Sequence, residues 1–303
     1  MTDRPDWLHP LGTPPPLDNA LGSLAATMAQ AQVPNRLCHQ CFDGAHGPAL
    51  IATLSAIKGG ARPDPADYSQ ILAEHPNCVG GPDAYRLTLV PALRDIWLHA
   101  NTDTAWWDTC LVEKLLMAGL WCWPEAQQAA LRAVAARVVL DWITTGTCAL
   151  WPHDSPAERI HISDDILELA LATLIDPEDL VAAAFAQETA HALDIILLAE
   201  GIPLAAPGYV ADDATPGLHD AQPYRAAYGE MANIIQARMA QAALTHLTPG
   251  WCHQAIAKWD DADAEMANDL RALASGLSDG TSRFYALAQG PATGPKPSVL
   301  FAP

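Results

Sequence analysis

Apolar residues recur every three or four positions between residues 84 and 143, and this spacing constrains the fold more than any other feature. Residues three and four apart lie on one face of an α-helix, and an apolar face has to pack against another element to leave water. Two interruptions divide the stretch, which therefore predicts three helices with one apolar stripe each. The stripes are Leu89, Leu93, Ile96 and Trp97; Trp107, Leu111, Leu115 and Leu116; and Leu131, Val134, Val138 and Trp142.

The ends of these helices also carry recognisable residues. Asp83 is suited to cap the first helix, and Pro124 is suited to the first turn of the third. Pro91 lies inside the first helix and should bend it, because proline lacks an N–H and clashes with the preceding turn. A bent helix followed by a straight one is typical of stacked helical pairs. No segment alternates with period two for long, so we predict an all-α fold: a compact, HEAT-like α-solenoid of stacked antiparallel helix pairs with almost no sheet.

Residues 84–93 resemble the Phe-Leu-Pro-Arg-Leu-Leu helix of an uncharacterised bacterial HEAT-like family. Residues 115–130 are similar to the second and third helices of that family, in which a Trp-Pro pair precedes a run of Glu, Gln and Ala. Members also tend to carry a close cysteine pair near the N-terminus, as Cys38 and Cys41 stand in this sequence. The resemblance extends over residues 36 to 278, although residues 78–83 depart from the Leu-Thr-Thr-Trp-Gly-Asp segment of the family. It implies a helical fold and no particular reaction.

Proline and glycine mark the predicted domain limits. Residues 1–16 contain five prolines and predict an irregular N-terminal arm. Residues 17–289 predict a single helical-repeat-like domain, with a subdivision allowed at the loop 203–223, and residues 290–303 predict a loose tail. The first residues show neither the basic nor the apolar part of a signal peptide, and the seven cysteines are scattered. We therefore expect a cytoplasmic protein with reduced thiols.

The net charge of −19, from 35 acidic and 16 basic residues, bears on the class of partner. Such a charge repels nucleic acids and anionic membranes and attracts cationic proteins, although acidity also serves solubility alone. The leading hypothesis is a non-catalytic protein, not an enzyme, that binds a basic protein partner on an acidic concave face. An inhibitor or immunity protein that blocks a basic bacterial toxin is one role of this kind.

Two cysteine-containing pairs predict a metal site. Cys38-x-x-Cys41 and His75-x-x-Cys78 share a two-residue spacer and together offer three thiolates and an imidazole, enough for tetrahedral zinc. The alternative is a cysteine pair buried in a turn, since cysteine behaves as a small apolar residue. A redox disulfide between Cys38 and Cys41 is less favoured because no βαβ pattern surrounds the pair.

A second hypothesis, from a different class, is a metal-dependent enzyme that acts on a diphosphate. Asp164, Asp165 and Glu168 have the Asp-Asp-x-x-Glu form with which class I terpene synthases, also all-α, hold magnesium. The second acidic motif of those enzymes is incomplete, because Ala272 and Gly276 follow Asn268-Asp269 in place of serine and glutamate. The first motif also fits acids in the first turn of a helix capped by Ser163, which requires no metal.

Ten tryptophans are many for a chain of 303 residues. Trp106, Trp107, Trp121 and Trp123 flank the second central helix and either fill the core or line an exposed groove for a partner. The core is favoured, because large aromatic side chains are usually buried.

Overall fold

The structure, a computed structural model, describes residues 3–42, 44–94, 111–145, 156–187, 189–201 and 221–294. Within these ranges the chain forms thirteen α-helices, and the β-structure is limited to an isolated bridge between His9 and Ile175. The prediction of an all-α fold with almost no sheet is thereby confirmed for the described residues. The helices are α1 (Leu17–Met28), α2 (His46–Lys58), α3 (Ser69–Ala73), α4 (Pro82–Ala92), α5 (Leu111–Met117), α6 (Glu125–Thr145), α7 (Pro156–Ala172), α8 (Pro177–Gln187), α9 (Ala190–Gly201), α10 (Ala221–His246), α11 (Pro249–Trp259), α12 (Ala264–Asp279) and α13 (Arg283–Leu287).

The three central stripes become α4, α5 and α6. Their described apolar residues are buried: Leu89, Leu93, Leu111, Leu115, Leu116, Leu131, Val134, Val138 and Trp142. Ile96, Trp97 and Trp107 lie outside the described residues. Trp121 and Trp123, in and just after a 3-10 turn (Leu120–Cys122), are also buried, and their indole N–H groups donate to the carbonyls of Ala172 and Ala118. These two tryptophans belong to the core, whereas Trp106 lies outside the described residues.

The start of α4 differs from the prediction. The helix begins at Pro82, one residue before Asp83, and Asp83 does not cap it. The Asp83 carboxylate instead accepts the backbone N–H of Gln32 at 2.8 Å and pairs with Arg86 at 2.7 Å. It therefore links α4 to the loop after α1. At the other end, the α-helical run stops at Ala92, one residue after Pro91, and continues as a π-helical turn at residues 93–94.

The start of α7 also differs. Ser163 does not cap this helix, because α7 begins seven residues earlier, at Pro156. Proline is well suited to a first helical turn, where its missing N–H costs nothing. Asp164, Asp165 and Glu168 consequently lie in the middle of α7 and not in its first turn, so the expectation of acids at the positive end of a helix was wrong here.

The packing centres on α6 and α10. Helix α6 contacts α1, α7, α8 and α9, whereas α10 contacts α8, α9 and α13. Helices α2 and α3 pack against α4, and α11 packs against α12. The buried apolar side chains join into one core cluster that extends from Trp7 to Phe284. The contact between α1 and α6 joins elements that are far apart in the sequence.

A buried ionic network holds the N-terminal arm to this core. Asp176, between α7 and α8, is fully buried and accepts two hydrogen bonds from Arg238 of α10, at 3.1 and 3.0 Å. Arg4 reaches the same carboxylate at 2.5 Å, and Glu178 accepts from Arg238 at 2.8 Å. The backbone of His9 adds hydrogen bonds to both sides of Ile175. The arm is irregular in conformation but fixed in position.

Residues near the C-terminus meet the same region. The indole N–H of Trp7 donates to the carbonyl of Gly294 at 3.1 Å, and Ala292 is buried. Residues 291–294 therefore pack against the arm, and residues 295–303 of the predicted loose tail lie outside the described residues. Most of the predicted loop 203–223 also lies outside them, while residues 221–223 begin α10. No described helix combines the length and the apolar character that crossing a bilayer requires.

Candidate metal site

Two turns meet to form the candidate site. Cys38 and Cys41 lie in the turn between α1 and α2, and Cys78 lies in the turn between α3 and α4. The backbone N–H of Cys38 donates to the carbonyl of Cys78 at 2.8 Å, which fixes the two turns side by side. Each turn is also closed internally, since Phe42 N–H donates to the Cys38 carbonyl and Cys78 N–H to the His75 carbonyl.

Gly80 allows the turns to approach this closely. Its φ is +82°, a left-handed conformation that favours glycine. A Cβ at this position would lie 2.5 Å from Cβ of Pro34 and 3.0 Å from the carbonyl oxygen of Arg36. The absence of a side chain at Gly80 thus brings the Cys78 turn against the segment that leads to Cys38.

The three cysteine sulfur atoms converge. The Sγ atoms of Cys38, Cys41 and Cys78 all lie within 4.8 Å of one another, and each residue is half-buried. The Cys41 and Cys78 sulfurs are 3.4 Å apart, which is longer than a disulfide bond of about 2.05 Å. Sulfurs on a tetrahedral zinc ion, each about 2.3 Å from the metal, are about 3.8 Å apart. The separations therefore suit a shared metal ion.

The surroundings of the sulfurs differ in their electrostatics. Backbone hydrogen bonds from Cys41 and then Gln40 lower the pKa of the Cys38 thiol, because N–H groups stabilise a thiolate. The hydrogen bond to Cys78 raises the pKa of Cys41 to about 12, and burial and the charge of Glu74 act in the same direction. Burial is also the main cause that raises the pKa of Cys78. Loss of the thiol proton is thus favoured at Cys38 and disfavoured at Cys41 and Cys78.

The fourth predicted ligand, His75, is not a member of the group formed by the three sulfurs. Its Nδ1 accepts the backbone N–H of Asn77 at 3.1 Å. Glu74, the residue before it, is not a member of that group either, although its charge is one of the causes, after the hydrogen bond to Cys78 and burial, that raise the pKa of Cys41. Zinc also accepts carboxylate oxygen, so Glu74 is a further candidate for the fourth ligand that the residue spacing did not predict.

The acids of the diphosphate hypothesis are placed differently. Asp164 is exposed, and Asp165 and Glu168 are half-buried along α7, which packs mainly against α6, α9 and α5. Asn268 and Asp269 are exposed on α12, which packs mainly against α11 and α9. The two motifs therefore lie on helices whose main partners differ, apart from α9.

Comparison of the chain with family models, with curated proteins and with solved structures gives no match. The resemblance to a HEAT-like family remains a prediction.

Proposed function

We propose that this chain is a non-catalytic helical scaffold whose N-terminal part is stapled by one zinc ion. The observation that carries the proposal is the convergence of Cys38, Cys41 and Cys78 within 4.8 Å, from two turns that are 37 residues apart at Cys41 and Cys78. Three thiolates are a donor set that favours zinc over magnesium or calcium, which prefer oxygen. Glu74 or His75 is the fourth ligand in this proposal.

A zinc ion at this position would strengthen a part of the fold that few long helices support. It would join the turn before α2 to the turn before α4, and it would offset the negative charge of the thiolates near Glu74. A metal ion that binds only the folded site stabilises the folded state by its binding free energy. The proposed role is therefore structural.

Elemental analysis tests this role directly. The full chain, expressed without a histidine tag, should contain about one zinc per molecule, and Cys78→Ser should lose it. Cys122→Ser provides a matched control, because Cys122 is also half-buried but lies outside the cluster. Cobalt substitution gives a second readout, since tetrahedral thiolate ligation is visible in the absorption spectrum. Zinc well below one per chain in the wild-type protein would reject the proposal.

The fourth ligand is assigned by two further variants. If Glu74 is the ligand, Glu74→Gln should weaken zinc binding by about tenfold to a hundredfold, and His75→Gln should leave it unchanged. The reverse result would assign His75. An equal affinity in both variants would indicate a water molecule in the fourth position.

A second candidate function, which does not exclude the first, is binding of a basic protein. It is favoured by the acids at the connection between α11 and α12, where Asp260, Asp261, Glu265 and Asp269 are exposed. Asp269 is exposed as a residue, but partial burial of its carboxyl, and then the charges of Glu265 and Asp263, raise its pKa. A cationic partner would relieve this repulsion, and inhibition of a basic toxin remains one role of this kind.

Salt-dependent capture tests the second candidate. The immobilised chain should retain a basic protein from the lysate of its own source at about 50 mM salt and release it at about 500 mM salt, because screening grows with ionic strength. Glu265→Gln combined with Asp269→Asn should abolish the retention. Asp67→Asn, an exposed acid in the N-terminal part, is the control and should preserve it. Equal retention by all three proteins would show non-specific ion exchange and refute the assignment to α11–α12.

We also propose that the helices form a solenoid of stacked antiparallel pairs. The short connections between α8 and α9 and between α11 and α12, whose members pack on each other, support antiparallel pairs of the HEAT type. Solution scattering that fits a curved stack better than a compact bundle would support it.

A further inference from the structure

A groove between α1, α2 and α4 gathers basic side chains in a protein that is otherwise strongly acidic. Its volume is about 250 Å³, and its lining includes Lys58, Arg62, Arg86 and Arg94. These are four of the six basic residues in positions 1–94. Lys58 lies at the end of α2, Arg62 in the loop that follows it, Arg86 in α4 and Arg94 in the π-helical extension of α4.

Most of this positive charge is not neutralised by the described residues. Arg62 and Arg94 form no ion pair in the part of the chain that the structure describes, and Lys58 only approaches the side-chain oxygen of Gln32 at 3.5 Å. Five arginines outside the groove each have a carboxylate partner: Arg4, Arg132, Arg137, Arg238 and Arg271. The chain contains more than twice as many acidic as basic residues, so composition alone would not lead one to expect three neighbouring cations without an acidic partner among the described residues.

Arg86 is fixed in the wall of the groove. One of its terminal nitrogens pairs with Asp83 at 2.7 Å, and the guanidinium lies over the ring of Trp123, 4.9 Å from its centre. Its Nε is buried and has no acceptor among the described residues. A guanidinium held by stacking and one ion pair is preorganised, and an unsatisfied buried donor gains an acceptor when an anion binds.

The floor of the groove is apolar. Met28 of α1, Ile57 of α2, and Leu87 and Val90 of α4 contribute to it. An apolar floor below a ring of cations is complementary to a molecule with a short hydrocarbon part and a negative head. The size of the groove, slightly below the usual range for ligand pockets of about 300 to 1,000 Å³, limits that molecule to a small one.

We propose that this groove binds a small organic anion, a carboxylate or a phosphate monoester with a short aliphatic part. The head group contacts Arg62 and Arg94 and accepts from Arg86, and the aliphatic part lies on Leu87 and Val90. This proposal goes beyond zinc binding and requires none of the cysteine ligands.

Calorimetric titration of the full chain tests the proposal with four probes: hexanoate, hexyl phosphate, hexylamine and inorganic phosphate. We expect at least one of the two hexyl anions to bind with a dissociation constant of about 0.1 to 1 mM, as for other ligands of this size. Whichever of the two binds more tightly identifies the head group. Hexylamine, with the opposite charge, and inorganic phosphate, without the aliphatic part, should each bind at least about tenfold more weakly.

Variants locate the binding. Arg62→Gln combined with Arg94→Gln should weaken binding of the hexyl anion by about tenfold or more, and the fold should persist, because neither side chain has an ion pair with a described residue to lose. Arg271→Gln is the control: this arginine pairs with Asp260 outside the groove, and its loss should leave the affinity unchanged. Lys58→Gln gives an independent second variant with a smaller loss. No binding of either hexyl anion up to about 10 mM, equal binding of hexylamine, or unchanged affinity in the double variant would overturn the proposal.

Discussion

The first 94 residues and the remainder of the chain are organised in different ways. Residues 1–94 carry six basic and eight acidic side chains, whereas residues 95–303 carry ten basic and 27 acidic ones. Five of the seven glycines with positive φ among the described residues lie in the first part, at Gly12, Gly44, Gly60, Gly80 and Gly81. The second part contains the longest described helices, α6 with 21 residues and α10 with 26.

The comparison indicates which interactions stabilise each part. In the second part, long helices bury apolar faces against one another, and most of the described acids other than Asp176 and Asp194 are exposed or half-buried. In the first part, shorter helices share the same apolar core, and turn geometry, a thiol cluster and polar contacts help to position them. Both sites that we propose for small ligands, the cysteine cluster and the basic groove, lie in the first part. Ligand sites are expected where backbone turns and unpaired polar groups are concentrated.

The largest effect on stability is expected at the buried ionic network, in which Arg4 of the first part and Arg238 of the second both bind Asp176. Arg238→Met removes the main partner of Asp176 and leaves a buried carboxylate with less compensation, so unfolding should become easier by about 3 to 5 kcal/mol. The control is Arg271→Met, whose pair with Asp260 is exposed and should matter by less than about 1 kcal/mol. Urea unfolding measures both. A similar loss of unfolding free energy in the two variants would show that burial does not make the Arg238 network more important than an exposed ion pair.

The second effect tests turn geometry in the first part. Gly80→Ala should destabilise the protein by about 1 to 3 kcal/mol, because φ is +82° and the added Cβ meets Pro34 and Arg36. Gly22→Ala, at an exposed position of α1 with no atom near the new Cβ, should stabilise by about 0.5 to 1 kcal/mol. Thermal unfolding compares the two. Equal signs would contradict the distinction between turn glycines and helix glycines.

The third effect separates the two parts by metal removal. If zinc occupies the cysteine cluster, a chelator should reduce amide protection in α4 by about tenfold, equivalent to about 1.4 kcal/mol of local stability. Protection in α12 should change much less, because that helix packs on α11 and α9. Hydrogen exchange with mass spectrometry resolves the segments. An equal loss of amide protection in α4 and α12 would mean that the first part does not unfold separately from the second.

The smallest effect is a dependence on pH. Burial alone would raise the pKa of Asp176, but hydrogen bonds from Arg238 and Arg4 outweigh it and hold that pKa below its usual value. A carboxyl whose folded pKa is lowered stabilises the fold above the unfolded pKa of about 3.9, and this contribution disappears as the pH falls through the folded pKa.

The difference in stability between the wild-type protein and Arg238→Met should therefore shrink when the pH is lowered from 6 to 3. Each unit by which the pKa differs between the folded and unfolded states contributes about 1.4 kcal/mol. Using the difference between two proteins cancels the titration of the other acids. A constant difference over this pH range would show that Asp176 does not respond to Arg238.

The sequence predicted those parts of the fold in which periodicity decides the outcome. The stripes at Leu89 and Leu93 and at Leu131 to Trp142 are buried as expected, because a helical face with this spacing has few alternatives. Local signals were less reliable. Ser163 looked like a cap but lies inside α7, since capping residues are also tolerated in helix interiors when packing extends the helix.

The candidate sites were predicted only in part. The cysteine spacing identified Cys38, Cys41 and Cys78, but the conformation of the turn after α3 decides whether Glu74 or His75 faces them. The groove could not be predicted, because Lys58 and Arg86 belong to different helices and the sequence does not reveal how α2 packs on α4. Likewise, Asp176 and Arg238 are separated by 62 residues, and no local pattern connects them.

The guanidinium of Arg238 also contacts the backbone near both ends of the described chain. Its Nη1 donates to the carbonyl of Asp3 at 3.3 Å and to that of Ala292 at 3.4 Å, so the entry and exit of the described chain are neighbours. Closing a short loop between two such points costs little entropy. A circular permutant that joins residues 3 and 294 by a short linker, with new ends in an exposed connection, should therefore keep its architecture. Arg238 would still hydrogen-bond to both joined segments.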